Sequence, residues 1–252
     1  MMLEEPVIQS HVCISLIIPA RNEATLLPRL LASVATARTR YRSGPDAVEL
    51  IVADNGSTDG TPEIARDRGC RVVDVAPRVI AAVRNGGATI AIGDVLAFVD
   101  ADMQVHPETF NAIDQALGDP RVIGGTSRIR PERWSVGITL VTAITAFYAR
   151  LTGVEAGLVF VRRSDFELLG GYDERRASLE DVDLLWRLKR LGRSRGQRLA
   201  RLRGAAAIYS TRKFDQFGEW HWLTLGVRLL LSRGWRAHVR SPVVREYWYD
   251  GR

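Results

Sequence analysis

The chain has 252 residues, a formal net charge of +6 and two cysteines, Cys13 and Cys70. A domain of this length buries roughly 70–75% of its unfolded surface, so it needs no disulfide staple, and two cysteines beside apolar runs form no metal-spaced set. The positive charge is nearly all arginine, with Lys189 and Lys213 the only lysines, and arginine grips phosphate with paired hydrogen bonds. Composition therefore leaves nucleic acid, an anionic membrane surface or a phosphorylated small molecule as partners. Met1 to Ser10 carries Glu4 and Glu5 and lacks the basic start of a signal peptide, and no stretch reaches the ~18 charge-free apolar residues of a spanning helix. The expectation is a soluble or peripheral protein of the reducing cytoplasm.

Val12 to Pro19 is a β-branched apolar run closed by proline and reads as a buried strand. Ala20 to Glu23 follow as a polar loop, and Ala24 to Ala37 as a helix with Leu26, Leu27, Leu30, Leu31 and Val34 at helical spacing. The basic stretch from Thr39 to Asp46 is expected to be a mobile loop. Ala47 to Ala53 is a second strand that runs into Asp54-Asn55-Gly56-Ser57-Thr58-Asp59-Gly60-Thr61, residues that make tight turns and cap helices. Thr61 is expected to cap the next helix, with Pro62 in its first turn and Gly69 at its end, before a third strand from Arg71 to Val75. Pro77 to Gly93 holds a helix carrying Arg84-Asn85-Gly86-Gly87. The order βαβαβαβ predicts a parallel sheet with helices on both faces.

The fourth strand lies in Asp94 to Asp102, an apolar run that ends in Asp100 and Asp102. Two positions apart in extended chain, these carboxylates would point the same way, two hard oxygen ligands for one divalent cation at the sheet rim. Beyond it, a helix from His106 to about Leu117 precedes a strand from Arg121 to Arg130. Trp134 to Leu151 is a helix apolar nearly all round, expected to pack in the core or on a partner, with a membrane-surface role also open. Leu158 to Val161 is a strand, Ser164 to Leu169 a helix and Gly170 to Glu174 a turn.

Glu180, Asp181 and Asp183 then open a helix. Acidic residues in a first turn gain roughly 0.3–1 kcal/mol from the helix dipole, but three carboxylates within four residues exceed that need. At a helix start Glu180 and Asp181 should diverge by about 100°, so that one faces a substrate and the other does not. Arg193, Arg195, Arg198, Arg201 and Arg203 are expected to grip an anionic partner, Ala205 to Tyr209 is expected to be an edge strand, and Phe214 to Leu231 a long apolar helix. With no repeat or linker, the chain reads as a single domain over 1–252. Its nucleotide-binding half covers about 12–104, its acceptor-binding half about 105–210, and a C-terminal helical extension about 211–252.

Four segments in order carry a resemblance. They are Leu16-Ile17-Ile18-Pro19-Ala20-Arg21-Asn22-Glu23, Asp54 to Thr61, Phe98-Val99-Asp100-Ala101-Asp102, and Gly170-Gly171-Tyr172-Asp173-Glu174 leading to Glu180-Asp181. Together they resemble the inverting family 2 glycosyltransferases of the GT-A fold, whose Rossmann-like, mostly parallel central sheet is flanked by helices. The resemblance implies transfer of a sugar from a UDP, GDP or dTDP type nucleotide-diphosphate sugar to an acceptor hydroxyl, lipid-linked or phosphorylated, with Mg²⁺ or Mn²⁺ as cofactor and no nucleic acid as partner. It places Pro19, Ala20 and Glu23 beside the base or ribose, Asp54 on the base, Arg84 near the diphosphate, Asp100 on ribose or metal, and Asp102 on the metal. Asp181 is implied as catalytic base, with Glu180 and Asp183 supporting.

Two departures from the pattern bear on function. Processive relatives carry Gln-x-x-Arg-Trp, whereas Gln216-Phe217-Gly218-Glu219-Trp220 has Glu in place of Arg, so polymer synthesis is not expected. His221 stands as a candidate third metal ligand, set against a packed role between Trp220 and Trp222. A sugar-nucleotide nucleotidyltransferase would need a Gly-rich basic loop where Pro19 to Glu23 stand. A non-catalytic nucleotide-sugar or membrane-surface binding protein of the same fold would have lost the acidic pairs.

Overall fold

The computed structural model describes residues 14–155, 157–176 and 178–220. Cys13, His221 and the remainder of the C-terminal extension lie outside these described residues. The first half runs β1 (Ile14–Ala20), α1 (Leu27–Thr39), β2 (Val48–Asp54), α2 (Thr61–Asp67), β3 (Arg71–Asp74), α3 (Ile80–Ile90) and β4 (Val95–Phe98). These strands pair in parallel in the order β3-β2-β1-β4, with Ala20 level with Asp54 and Asp54 level with Asp74. The second half runs β5 (Met103–Gln104), α4 (Thr109–Leu117), β6 (Val122–Pro131), α5 (Val136–Thr152), β7 (Val159–Arg162), α6 (Arg163–Leu168), α7 (Glu180–Ser194), β8 (Arg198–Tyr209) and α8 (Arg212–Phe217). It extends the sheet to eight strands in the order β3-β2-β1-β4-β7-β6-β8-β5, with β4–β7, β6–β7 and β5–β8 antiparallel.

Side chains alternate across the sheet and build one apolar layer on each face. Ile14, Leu16 and Ile18 pack with Leu27, Leu30 and Val34 of α1 and with Phe110 and Ile113 of α4. Ile17, Ile51, Leu96 and Phe98 belong to the opposite layer with Leu184, Leu185 and Leu188 of α7. Helix α3 lies close on the sheet, since a Cβ at Gly87 would stand 2.5 Å from the Cγ2 of Ile17. One turn earlier on the same helix face is Arg84, which this approach carries to the sheet rim.

Several sequence expectations change in the structure. The stretch from Thr39 to Asp46 is pinned rather than mobile: Tyr41 is buried and donates to Asp114 Oδ2 over 2.6 Å, and the Arg42 N–H donates to Asn111 over 3.0 Å. Thr61 is the first residue of α2 rather than its cap, because Gly60 takes a left-handed φ of +81° and Asp59 Oδ1 accepts the Thr61 N–H. Strand β8 begins at Arg198 and is interior, flanked by β6 and by two-residue β5. Of the arginines expected to grip a partner, Arg195, Arg198 and Arg201 are paired within the chain to Asp165, Asp119 and Glu155. Helix α5 is not packed in the core, where it buries only Gly137, Ile138 and Ala149.

Candidate active site

At the ends of β1 and β2 two loops hold each other. The Asn22 N–H donates to Ser57 Oγ, the Glu23 N–H to Thr61 Oγ1, and the Ala24 N–H to Asp59, over 2.8 to 3.0 Å. Asn22 adopts a left-handed φ of +52° to make the turn, and its side-chain oxygen accepts the Thr58 N–H. Pro19 and Ala20 are buried at the end of β1, where the Ala20 carbonyl accepts the Asn55 N–H over 2.9 Å. The Asp54 carboxylate is 3% exposed; its Oδ2 accepts the Gly56 and Ser57 N–H groups, while its Oδ1 is buried with no partner among the described residues. A buried unpaired carboxylate oxygen is costly, and a ligand N–H would satisfy it. Glu23, expected at a base or ribose, is buried and accepts from Arg212 Nη2 over 2.9 Å.

Arg84 is the centre of the second cluster. Only 3% exposed, it donates through Nη1 to Glu180 Oε1 over 2.7 Å and to Asp181 Oδ1, and through Nη2 to Asp100 Oδ1 over 2.7 Å. The side chain expected at a diphosphate is thus turned onto three carboxylates. Glu180 and Asp181, expected to diverge, both reach the same guanidinium nitrogen. Helix α7 starts from Leu179 in a left-handed conformation, φ +59°, and its first two residues accept from that guanidinium. Asp183 points elsewhere and pairs with Arg176 and Arg187 at 2.8 and 2.7 Å, a structural role.

The three acids do not share one environment. Burial raises the Glu180 carboxyl to about 7, with Arg84 opposing the rise and Asp181 adding to it. Burial also lifts Asp181 above the usual aspartate range, against the pull of Arg84 and with the help of the Asp100 charge. Burial would push the Arg84 guanidinium down, yet Asp181, Asp100 and Glu180 together hold it well above its ordinary value. The cluster keeps a permanent cation beneath carboxylates that differ in their hold on a proton.

Asp100 and Asp102 do not sit in extended chain, because β4 ends at Phe98 and the Met103 N–H donates to the Asp100 carbonyl to close a turn. Asp100 turns to Arg84, and Asp102 Oδ2 stands 3.9 Å from Arg212. Their side chains are 36% and 21% exposed at the rim. Among the described residues no group of three or more His, Cys, Asp or Glu could hold a metal ion. The donor set fits a cation of the Mg²⁺ type, which is held by one or two carboxylates and completed by substrate phosphates. His221, the expected third ligand, lies outside the described residues.

Sequence reasoning gave no role to three residues that shape the site. Asn85 donates to the Tyr172 carbonyl and to Glu174, and accepts the Tyr172 N–H over 2.9 Å, clamping the Gly170-Gly171-Tyr172 turn to α3. A side chain at Gly171, φ +70°, would stand 2.7 Å from Asn85 Oδ1. Tyr172 lies under Arg84, 5.3 Å from ring centroid to guanidinium carbon. Arg212 joins Glu23 to the Asp102 turn. The signal for Asn85 was its place beside Arg84; Arg212, 189 positions after Glu23, had none.

The chain belongs to glycosyl transferase family 2, whose domain matches residues 15–153. It is similar to 4,4'-diaponeurosporenoate glycosyltransferase of Staphylococcus haemolyticus, 39% identical over 107 residues that cover 38% of this chain and 25% of that protein. It is also similar to undecaprenyl-phosphate 4-deoxy-4-formamido-L-arabinose transferase of Aeromonas hydrophila, 33% identical over 134 residues covering 48% of this chain and 39% of that protein. The chain thus spans between a quarter and two fifths of the length of these relatives. In fold it is similar to mannosyltransferase PcManGT from Pyrobaculum calidifontis, solved in complex with GDP-Man and Mn²⁺. The TM-score is 0.62 at 19% identity, over 86% of this chain and 64% of that one. The mixed sheet with helices on both faces is the GT-A fold.

Proposed function

We propose that the chain is an inverting, metal-dependent, non-processive glycosyltransferase that moves a sugar from a nucleotide-diphosphate sugar to an acceptor hydroxyl. The observation that carries this reading is the buried guanidinium of Arg84, which ties Asp100 in the turn after β4 to Asp181 at the head of α7. Donor and base chemistry are thereby built into one rigid cluster. The half over about 12–104 holds the nucleotide and the half over about 105–210 the acceptor.

In this reading Asp54 Oδ1 accepts an N–H of the base, and Pro19 and Ala20, buried at the end of β1, lie beside the base or ribose. Glu23 acts through Arg212. Asp100 and Asp102 would hold Mg²⁺ or Mn²⁺, which supplies charge to offset the leaving diphosphate. Asp181 takes the proton of the acceptor hydroxyl. The hydroxyl oxygen bonds to the anomeric carbon on the face opposite the diphosphate, and the bond to the diphosphate oxygen breaks with its electron pair leaving on the nucleotide. One displacement without a covalent enzyme intermediate inverts the anomeric centre. Arg84 is a positioning residue that keeps Asp181 fixed relative to Asp100.

The acceptor is lipid-linked or phosphorylated, a class supported by the undecaprenyl phosphate named for the Aeromonas relative. Work at the cytoplasmic face of a membrane suits that class, and among the described residues no helix is long and apolar enough to cross one. Calorimetry with UDP, GDP and dTDP in Mn²⁺ tests the donor assignment. One nucleotide should bind, and EDTA or Asp102→Ala should weaken it strongly. Equal affinity with and without metal overturns the metal-dependent reading.

A further inference from the structure

We propose that the outward face of α5 is a docking surface for an anionic lipid bilayer. Val136, Leu140, Ile144, Phe147 and Leu151 are between 44 and 77% exposed. At about 100° per residue they fall within roughly 80° of one another, a single stripe along the helix. Of the residues that attach α5 to the body, Ile138 and Ala149 lie on the opposite side, and Gly137, packed against Glu219, lies beside the stripe's margin. Trp134 adds a further exposed aromatic at the start of the helix, and Tyr148 one at the stripe's margin. An unbroken apolar stripe of this length on a surface helix marks an interaction site.

Charge selects the partner. From Arg133 to Val154 the sequence contains no aspartate or glutamate. Arg150 on the helix, and Arg128 and Arg130 on β6, the strand that feeds it, are exposed and make no ion pair among the described residues. This differs from the later arginines of β8, where Arg198 and Arg201 are paired to Asp119 and Glu155. An apolar stripe joined to unpaired cations is the pattern of a helix that lies in the plane of an anionic bilayer surface, where apolar burial and attraction to headgroups act together. The helix has 17 residues, and no described helix has the length and hydropathy of a span, so it would lie on the surface rather than cross it.

The position of α5 gives docking a consequence. Thr142 Oγ1 stands 3.2 Å from the Tyr209 hydroxyl, and the next residue, Ser210, donates its N–H to the Asp102 carbonyl over 3.1 Å. The docked helix would hold the rim of the carboxylate site at the bilayer surface. The inference does not depend on glycosyl transfer, because vesicle binding is read without turnover.

The test is co-sedimentation of the full chain with vesicles of phosphatidylcholine, with and without 30% phosphatidylglycerol, at low and high salt. Binding should need the anionic lipid and fall as salt screens exposed charge. The double variant Leu140→Ser/Phe147→Ser should bind at least ~10-fold more weakly with an unchanged melting temperature. Arg130→Gln/Arg150→Gln should lose mainly the salt-sensitive part. Absence of binding at low salt, or equal binding by the apolar variant, overturns the proposal. So does a drop of several degrees in melting temperature for the apolar variant, which would mean that another part of the chain covers the stripe. A dimer by light scattering that this variant dissociates would assign the stripe to a second copy instead.

Discussion

Arg84 donates through Nη1 to Asp181, 97 positions further along the chain, while its Nη2 donates to Asp100. One guanidinium, 3% exposed, thus faces Asp100, Asp181 and Glu180 at once. Three ionised carboxylates would leave the cluster with a surplus of negative charge in a poorly solvated place. Burial raises Glu180 to about 7, with Arg84 opposing the rise and the Asp181 charge adding to it, and this lowers that surplus.

Arg84→Met should therefore be strongly destabilising, by about 3–5 kcal/mol at pH 8, since it leaves buried carboxylates without their cation. Lowering the pH protonates them, so the deficit should shrink toward pH 5. Urea unfolding at both pH values reads this directly. A deficit below about 1 kcal/mol at pH 8 would show that the carboxylates do not need Arg84.

Glu180→Gln should act in the opposite direction. The folded-state value of about 7 lies above the ordinary 4.5, so the native state holds this proton more tightly than the unfolded chain. Stability from the group is then fully present below the unfolded value and is lost as pH rises through about 7. Glutamine cannot ionise and still accepts from Arg84. The melting temperature of the variant should exceed that of the wild type at pH 8, and the difference should shrink on acidification until the two match near pH 4. The same difference at both pH values would mean that Glu180 ionises without cost.

Much of this site was legible because its acids and glycines sit at element ends. The strand ending at Asp54, the acidic pair shortly after β4 and the helix start at Glu180 follow from local pattern, and the structure brings Asp100, Glu180 and Asp181 together around Arg84. The direction in which side chains turn was not legible. Asp100 and Asp102 read as converging from extended chain, whereas the Met103 N–H closes a turn on Asp100. Strand β8 hid behind Arg198, Arg201 and Arg203, whose polar character masks the alternation until Asp119 and Glu155 are placed beside the first two. The Arg212–Glu23 pair joins residues 189 positions apart, a distance no periodicity spans.

Asp54→Asn tests the orphaned oxygen. Asparagine keeps one acceptor, and the Gly56 and Ser57 N–H groups claim it, which turns an amide donor toward the place where Oδ1 waits for a ligand N–H. Nucleoside diphosphate affinity should fall at least ~10-fold while the melting temperature stays within a few degrees. Unchanged affinity would remove Asp54 from the base-binding assignment.

Asp181 is the group on which turnover should depend. Of the acids on α7, Asp183 is committed to Arg176 and Arg187, and Glu180 is the more deeply buried of the remaining two, with its side chain 9% exposed against 15% for Asp181. Asp181 combines the larger opening to solvent of the two with a proton affinity lifted by burial. A base must be ionised to act, so kcat/KM should fall as pH drops through a value above the ordinary aspartate range. Asp181→Asn preserves the hydrogen bond to Arg84 but cannot take a proton, so nucleotide affinity should persist while kcat falls by at least ~100-fold. Asp183→Asn should leave kcat nearly intact. If Asp181→Asn turns over normally and Glu180→Gln does not, the base is Glu180, and the acid limb of the profile should then lie near its own value of about 7.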